Sequence, residues 1–299
     1  MGDLMQVDKY ADSQFNPVDI RMRFLDFQKF ADFSVKVAFV GDIMQHDKQL
    51  QFEKDREFSY KGVFDQTQKV FRGCDLVVGN LETVIGNEIA GFPKFSVPSP
   101  FVNALKRAGF NVLVTSNNHS LDQGEKGVVD THRAIVNAGM IPIGTLGDSH
   151  KTFEIRGIKL TIHACTTFVN ADKKSKLVSM WSQKIDLREG INLAYIHAGK
   201  EYSSSSTAEQ KEIVKILKEK GFAGVLFTHS HVPGKLEFEG NFFVIYGMGN
   251  FISDQKNLKI EKGNCAIVEL THSGVKKIEM IETSSVVKDS GETIVKFGK

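Results

Sequence analysis

The sequence predicts an α/β fold: one domain in which two packed sheets are flanked by helices. Three observations predict it. The first half alternates short apolar runs with helical stretches closed by glycine. The second half adds two hairpins and one clear helix. Most of the apolar runs break off abruptly into amide, imidazole or carboxylate side chains. That is how an open sheet presents a ligand site beyond its strand ends. No shift of composition marks a linker, so residues 34–299 are expected to form a single domain behind an N-terminal extension, residues 1–33.

The extension reads as surface chain, with Phe24, Phe27 and Phe30 spaced three apart as in a short helix. Val35 to Val40 is the first strand, and residues 41–47 turn after it. A helix is expected over Val63 to Phe71, ended by Gly73. The strand Leu76 to Val78 leads to Asn80 and Glu82. Residues 86–100, rich in Gly and Pro, form a loop over the rim. Ser99 and Pro100 supply an N-cap and first residue for a helix that stops at Gly109. Val112 to Val114 is a strand buried on both faces, and Gly127 to Ala138 a helix closed by Gly139. Ile141 to Ile143 is short strand.

Phe153 to Cys165 alternates with period two around Arg156 and Gly157, a hairpin. Residues 166–190, polar with Trp181, are a rim insertion. Strand 192–196 follows. Thr207 and Gln210 make a capping box for a helix ending at Gly221, and strand 225–227 comes next. A second hairpin turns at Glu239 to Asn241. Strands near 265–270 and 275–281, and an edge strand Thr293 to Phe297, complete the chain.

The chain has 299 residues, 41% hydrophobic and 25% charged, enough for a sizeable core. The net charge of +2 gives no bias toward nucleic acid or anionic membrane. A nuclease is disfavoured because phosphate-backbone binding needs a basic face. Cys74, Cys165 and Cys265 are isolated in apolar surroundings and read as buried free thiols of a reducing compartment. No signal-peptide core precedes the first strand, and no run approaches the roughly 18 apolar residues of a membrane helix. The chain as given is expected to be soluble and cytoplasmic, or extracytoplasmic if a native N-terminal anchor has been removed.

The strand ends carry a convergent set: Asp42, His46, Glu82, Asn118, His119, His197, His229 and His231. Imidazole, carboxylate and amide oxygen without thiolate suit Mn, Fe, Zn or Mg. The set is large enough for two ions, which would clamp a phosphoryl-like transition state and ionise a water. His229 and His231, two apart, are expected on one strand face. Asn80, Glu201 and Asn250 are expected to orient ligands from behind, and Asp122 to cap the following helix.

Gly41 to His46, Gly79 to Glu82, Ala108 to Gly127, His197 to Glu201, His229 to Val232 and Gly247 to Phe251 stand in one order along the chain. In that order they resemble the poly-γ-glutamate capsule biosynthesis proteins of CapA/PgsA type, within the calcineurin-like metallophosphatase superfamily. The resemblance implies a four-layer α/β/β/α sandwich of metallophosphatase type with a binuclear site of two divalent ions. It assigns Asp42, Glu82 and His231 to one ion and Glu82, Asn118, His197 and His229 to the other, with Glu82 bridging. His119 would donate a proton to the leaving group.

Three departures stand out. Met44 occupies the position of a superfamily histidine, with His46 as its substitute ligand. Glu82 stands for an aspartate, and Ala198 for an aromatic. The function implied is a metal-dependent hydrolase of a small or polymeric anionic substrate, a phosphoester or an amide-linked acidic polymer. The alternative is a non-catalytic metal-binding accessory factor in poly-γ-glutamate synthesis or export, working with a membrane-associated synthesis complex.

Overall fold

The structure, a computed structural model, describes residues 33–171, 175–255 and 261–298. Phe24, Phe27 and Phe30 lie outside them. The first half holds β1 (Val35–Ile43), α1 (Asp47–Lys54), α2 (Thr67–Phe71), β2 (Leu76–Leu81), β3 (Val84–Ile85), β4 (Ser96–Val97), α3 (Pro100–Ala108), β5 (Val112–Val114), α4 (Gly124–Asn137) and β6 (Ile141–Ile143). The second holds β7 (His150–Ile155), β8 (Ile158–Thr166), β9 (Ile191–His197), α5 (Ala208–Lys220), β10 (Gly224–Thr228), β11 (Leu236–Glu239), β12 (Phe242–Ile245), β13 (Asn250–Ile252), β14 (Lys262–Thr271), β15 (Gly274–Val287) and β16 (Thr293–Phe297).

One sheet has the order β16-β15-β14-β1-β2-β5-β6, with β13 also paired to β1. Its β1, β2, β5, β6 and β13 run parallel. The other has the order β11-β12-β10-β9-β8-β7, with β8, β9, β10 and β12 parallel. Period two then sorts the side chains. Val37 and Phe39 of β1 face Leu160, Ile162, Leu193 and Tyr195 of the second sheet. Ala38 and Val40 point the other way, into a core with Phe101 and Leu105 of α3. Ile196 and Phe227 on the outer face of the second sheet pack under Ile213 and Leu217 of α5. These are the four layers: helix, sheet, sheet, helix.

Local chemistry accounts for the element ends. The hairpin of β7 and β8 turns at Arg156 and Gly157, both with positive φ, as a two-residue turn between right-twisted strands requires. Thr207 accepts from the Gln210 amide while Gln210 reaches back to the Thr207 amide. Thr207→Ala should therefore cost about 1 kcal/mol, read by urea denaturation.

Several boundaries differ from the expectation. α1 stands where the sequence offers only a charged, Phe-bearing segment; it buries Gln49, Leu50 and Glu53, and buried polar groups conceal that pattern. The helix expected from Val63 begins only at Thr67, because Tyr60 and Gly62 turn with positive φ just before it. α4 begins at Gly124, three residues early. Ser99 stands at the N-cap of α3 but makes no capping hydrogen bond, its own φ and ψ being helical. The loop 86–100 is bracketed by a small parallel pair, β3 with β4. No helix among the described residues is long and apolar enough to cross a membrane.

Candidate metal centre

Parallel strands of both sheets end on one rim, and a bulge aims the first ligand. β1 slips register against β2 between Val40 and Asp42. Gly41 sits in that slip; a Cβ there would lie 1.8 Å from the Gly249 carbonyl. Glycine alone permits the approach that lets the Asp42 amide donate to Gly249 at 2.9 Å. The Asp42 carboxylate is then held by three donors. Asn80 Nδ2 reaches Oδ1 at 2.8 Å, and the His229 amide and His231 Nδ1 reach Oδ2, each at 3.2 Å.

Glu82, just beyond β2, is the opposite case. Its carboxyl is fully buried and neither oxygen has a hydrogen-bond partner. Oε1 lies 3.6 Å from His197 Nε2 and 3.9 Å from His231 Nε2. Burial, then the neighbouring Asp42, push its pKa well above the ordinary carboxyl value. A buried carboxylate with no partner costs several kcal/mol, about as much as an uncompensated buried ion. A divalent cation fits this atom, because two groups of ligand atoms close to within 4.8 Å share it: Glu82 with His229 and His231, and Asp42 with Glu82 and His197. These groups cut across the division that the resemblance implies, with Glu82 common to both.

The imidazoles show where lone pairs point. His231 Nδ1 faces two acceptors, Asn250 Oδ1 at 3.0 Å and Asp42, so it carries the proton and frees Nε2 toward Glu82. His229 Nδ1 is buried without a partner. His197 Nδ1 meets the Thr228 hydroxyl at 2.9 Å, and its Nε2 meets Asn118 Oδ1 at 2.7 Å. Asn80 Nδ2 also donates toward Nδ1 at 3.3 Å, so the His197 proton sits on Nε2, facing the Asn118 oxygen.

His229 and His231 do not share a strand face. β10 stops at Thr228, and positive φ at both residues, 89° and 56°, turns the two rings into the cluster with centroids 6.0 Å apart. Such conformations cost of order 1–3 kcal/mol each and persist where surroundings over-determine them.

His119 lies outside both ligand groups. Its Nδ1 is 2.7 Å from Asp122 Oδ2, and the same oxygen accepts from the Phe95 amide at 2.7 Å. Asp122 is thus not the cap of α4, a position Gln123 fills; its carboxylate holds the His119 ring. Asn250 does orient a histidine, and Asn80 bridges Asp42 and His197. Glu201 is exposed and makes no hydrogen bond among the described residues, though its charge reaches Glu82 and His231. His46 joins neither ligand group; its Nδ1 takes the Asp254 amide at 3.2 Å. Met44 is buried.

Other residues of the site carry no sequence signal. Phe95, from the Pro-rich loop, packs edge-on against His119 at 4.7 Å and His46 at 5.1 Å. Phe168 covers His229 at 4.8 Å. Asn117, at the same polar strand end as Asn118, ties the loop to Asn80 and the Leu81 carbonyl.

Two shifts set opposing pH slopes for the metal-free protein. Glu82 holds its proton more tightly folded than unfolded, so stability is lost as pH rises from about 4.5 through its folded pKa. Burial, then His231, lower His229 from 6.5 to about 4, so stability is also lost as pH falls through that window. Cations bind the deprotonated ligands. Stabilisation by Mn, measured as the shift in denaturation midpoint against chelator, should therefore grow from pH 5 to pH 8.

Similar proteins agree with this fold. A structure described as a novel phosphatase from Mycoplasma pneumoniae superposes with a TM-score of 0.54 at 16% identity, covering 84% of this chain and 93% of that one. A putative 5'-nucleotidase from Staphylococcus aureus, in complex with alpha-ketoglutarate, gives 0.50 at 14% identity over 83% and 54%. The fold is the metallophosphatase type. The capsule biosynthesis protein CapA of Bacillus anthracis is 26% identical over 73% of this chain. The PGA biosynthesis protein CapA of Bacillus subtilis (strain 168) is 22% identical over 76%. The matches span 60% and 65% of those relatives' lengths. Residues 36–255 match the family described as bacterial capsule synthesis protein PGA_cap, and the chain belongs to that family.

Proposed function

We propose that this chain is a metal-dependent hydrolase of phosphoesterase type, working with two divalent ions of Mn, Fe, Zn or Mg on a small or polymeric anionic substrate. The observation that carries the reading is the His119–Asp122 pair set beside a metal-ligand cluster but outside it. A purely structural metal site has no use for a held proton donor. Asp42, Glu82, Asn118, His197, His229 and His231 would hold the ions, with Glu82 between them. When bound, such ions ionise a water and neutralise phosphoryl charge. His119 would pass a proton from Nε2 to the leaving oxygen while Asp122 keeps the ring in place. Phe95 and Phe168 exclude water from the flanks of the histidines. We take residues 34–299 as one domain, since both sheets share a core, and residues 1–33 as an extension.

The relatives' names place them in capsule and PGA biosynthesis, so an acidic-polymer setting is part of the proposal, with a membrane-associated synthesis complex as the partner. Buried Met44, a non-ligand in the first motif, favours the second reading, a metal-binding accessory factor without turnover. Turnover of p-nitrophenyl phosphate and bis-p-nitrophenyl phosphate by Mn-loaded protein separates the two. Hydrolysis of either ester is expected. Bound metal with no hydrolysis, together with capture of the protein by immobilised poly-γ-glutamate, would favour the accessory role.

A further inference from the structure

We propose that His46 is a substrate-binding residue, donating from Nε2–H to a phosphoryl oxygen at the metal cluster, and that it is not a metal ligand. The proposal rests on the phosphoesterase reading for the identity of the acceptor. Its own footing is the tautomer.

The Asp254 amide donates to His46 Nδ1 at 3.2 Å. A backbone N–H can only donate, so the ring nitrogen facing it must be the one with the lone pair. The proton of the imidazole is then on Nε2. A protonated nitrogen offers nothing to a cation, and Nδ1 is already engaged. His231 has the reverse arrangement, with Nδ1 against two oxygens and Nε2 free. His197 has the Asn80 amide nitrogen at Nδ1 and Asn118 Oδ1 at Nε2, so it too carries its proton on Nε2, but it belongs to a ligand group with Asp42 and Glu82. Of these three rings, His46 is the one that joins a fixed donor to a place outside both ligand groups.

The donor is also held in place. The His46 amide donates to Gln49 Oε1 at 3.0 Å, and Gln49 Nε2 donates on to Thr293 Oγ1 at 3.0 Å. The ring packs on Phe95, the same side chain that contacts His119. It lies close enough to feel the charges of His231 and His119. The residue is only part-buried, and apart from the neighbouring Gln49 side chain no group among the described residues is placed to accept from Nε2. A fixed, unspent N–H beside a cation cluster is suited to an anionic oxygen, where a hydrogen bond is charge-assisted. His46 and His119 therefore divide the work across Phe95: one binds the phosphoryl group, the other serves the leaving group.

Two measurements test this on the zinc-loaded chain. Long-range proton–nitrogen-15 correlation spectra of the wild type should show His46 protonated at Nε2 with and without zinc, while the His231 nitrogens move on loading. Movement of the His46 nitrogens on zinc binding would establish it as a ligand and overturn the proposal. Calorimetric titration with inorganic phosphate should then show affinity about tenfold weaker in His46→Leu, with zinc content unchanged. His46→Gln, able to accept from Asp254 and still donate, should recover most of the loss. Zinc lost in either variant, or phosphate bound equally by all three proteins, contradicts the inference alone. A zinc-loaded wild type that binds no phosphate sinks it together with the phosphoesterase reading.

Discussion

Replacing His119 by Ala is expected to lower kcat on an alkyl phosphodiester by about 100- to 10,000-fold while the metal content stays unchanged. The expectation follows from position. His119 sits outside both ligand groups, so its loss removes no metal ligand, and its Nδ1 is already committed to Asp122. Only the proton delivered to the departing oxygen is lost. An alkoxide needs that proton; a nitrophenolate, which is stable unprotonated, hardly does. The loss on bis-p-nitrophenyl phosphate should therefore be much smaller than on the alkyl ester. Equal losses on both esters would show that His119 acts on binding or on the metal instead. Asp122→Asn should give an intermediate loss, because the amide oxygen can still accept from both Phe95 and His119 but brings no negative charge beside the imidazole.

Glu82→Gln is expected to invert the usual relation between a substitution and stability. In chelator at pH 7 the wild type holds a buried carboxyl with no donor to either oxygen, next to the Asp42 carboxylate. The amide does not ionise, so the variant escapes the cost of keeping a carboxyl protonated or charged there; it should melt higher than the wild type and lose the decline in stability with rising pH that begins near 4.5. With Mn present the order should reverse. The wild type gains stability by mass action, and the variant lacks the one group shared by both sets of ligands. Its metal affinity should fall by well over the 10- to 100-fold typical of losing a hydrogen bond behind a ligand. Scanning calorimetry of both proteins, with chelator and with Mn, checks the crossing of the two melting temperatures. A variant less stable than the wild type in chelator would mean that Glu82 has a structural partner.

Much of this site is legible in the sequence because strand and ligand are contiguous there. An apolar run that stops at Asp42, Glu82, Asn118 or His197 states both the strand and its cargo. The four layers follow from the same runs, since a strand buried on both faces needs cover on both. What stays hidden depends on chain crossing. Phe95 reaches His119 from a loop 24 positions earlier, and Phe168 reaches His229 from a segment with no motif. The paired histidines illustrate a subtler limit. Their spacing suggests that both rings reach one place; both do lie beside Glu82, but through two positive φ angles after the strand, which no periodicity encodes. His46 could be read only as one more ligand type at a strand end. Its neighbour Asp254, 208 positions away, supplies the donor that distinguishes it.

The central claim is that remote strand ends build one cation cluster around Glu82. Metal analysis by mass spectrometry of wild-type protein equilibrated with Mn and freed of excess ion tests it most directly. Two ions per chain are predicted. Protein that retains no ion under these conditions, while folded by circular dichroism, would contradict the assignment of these side chains to a metal centre.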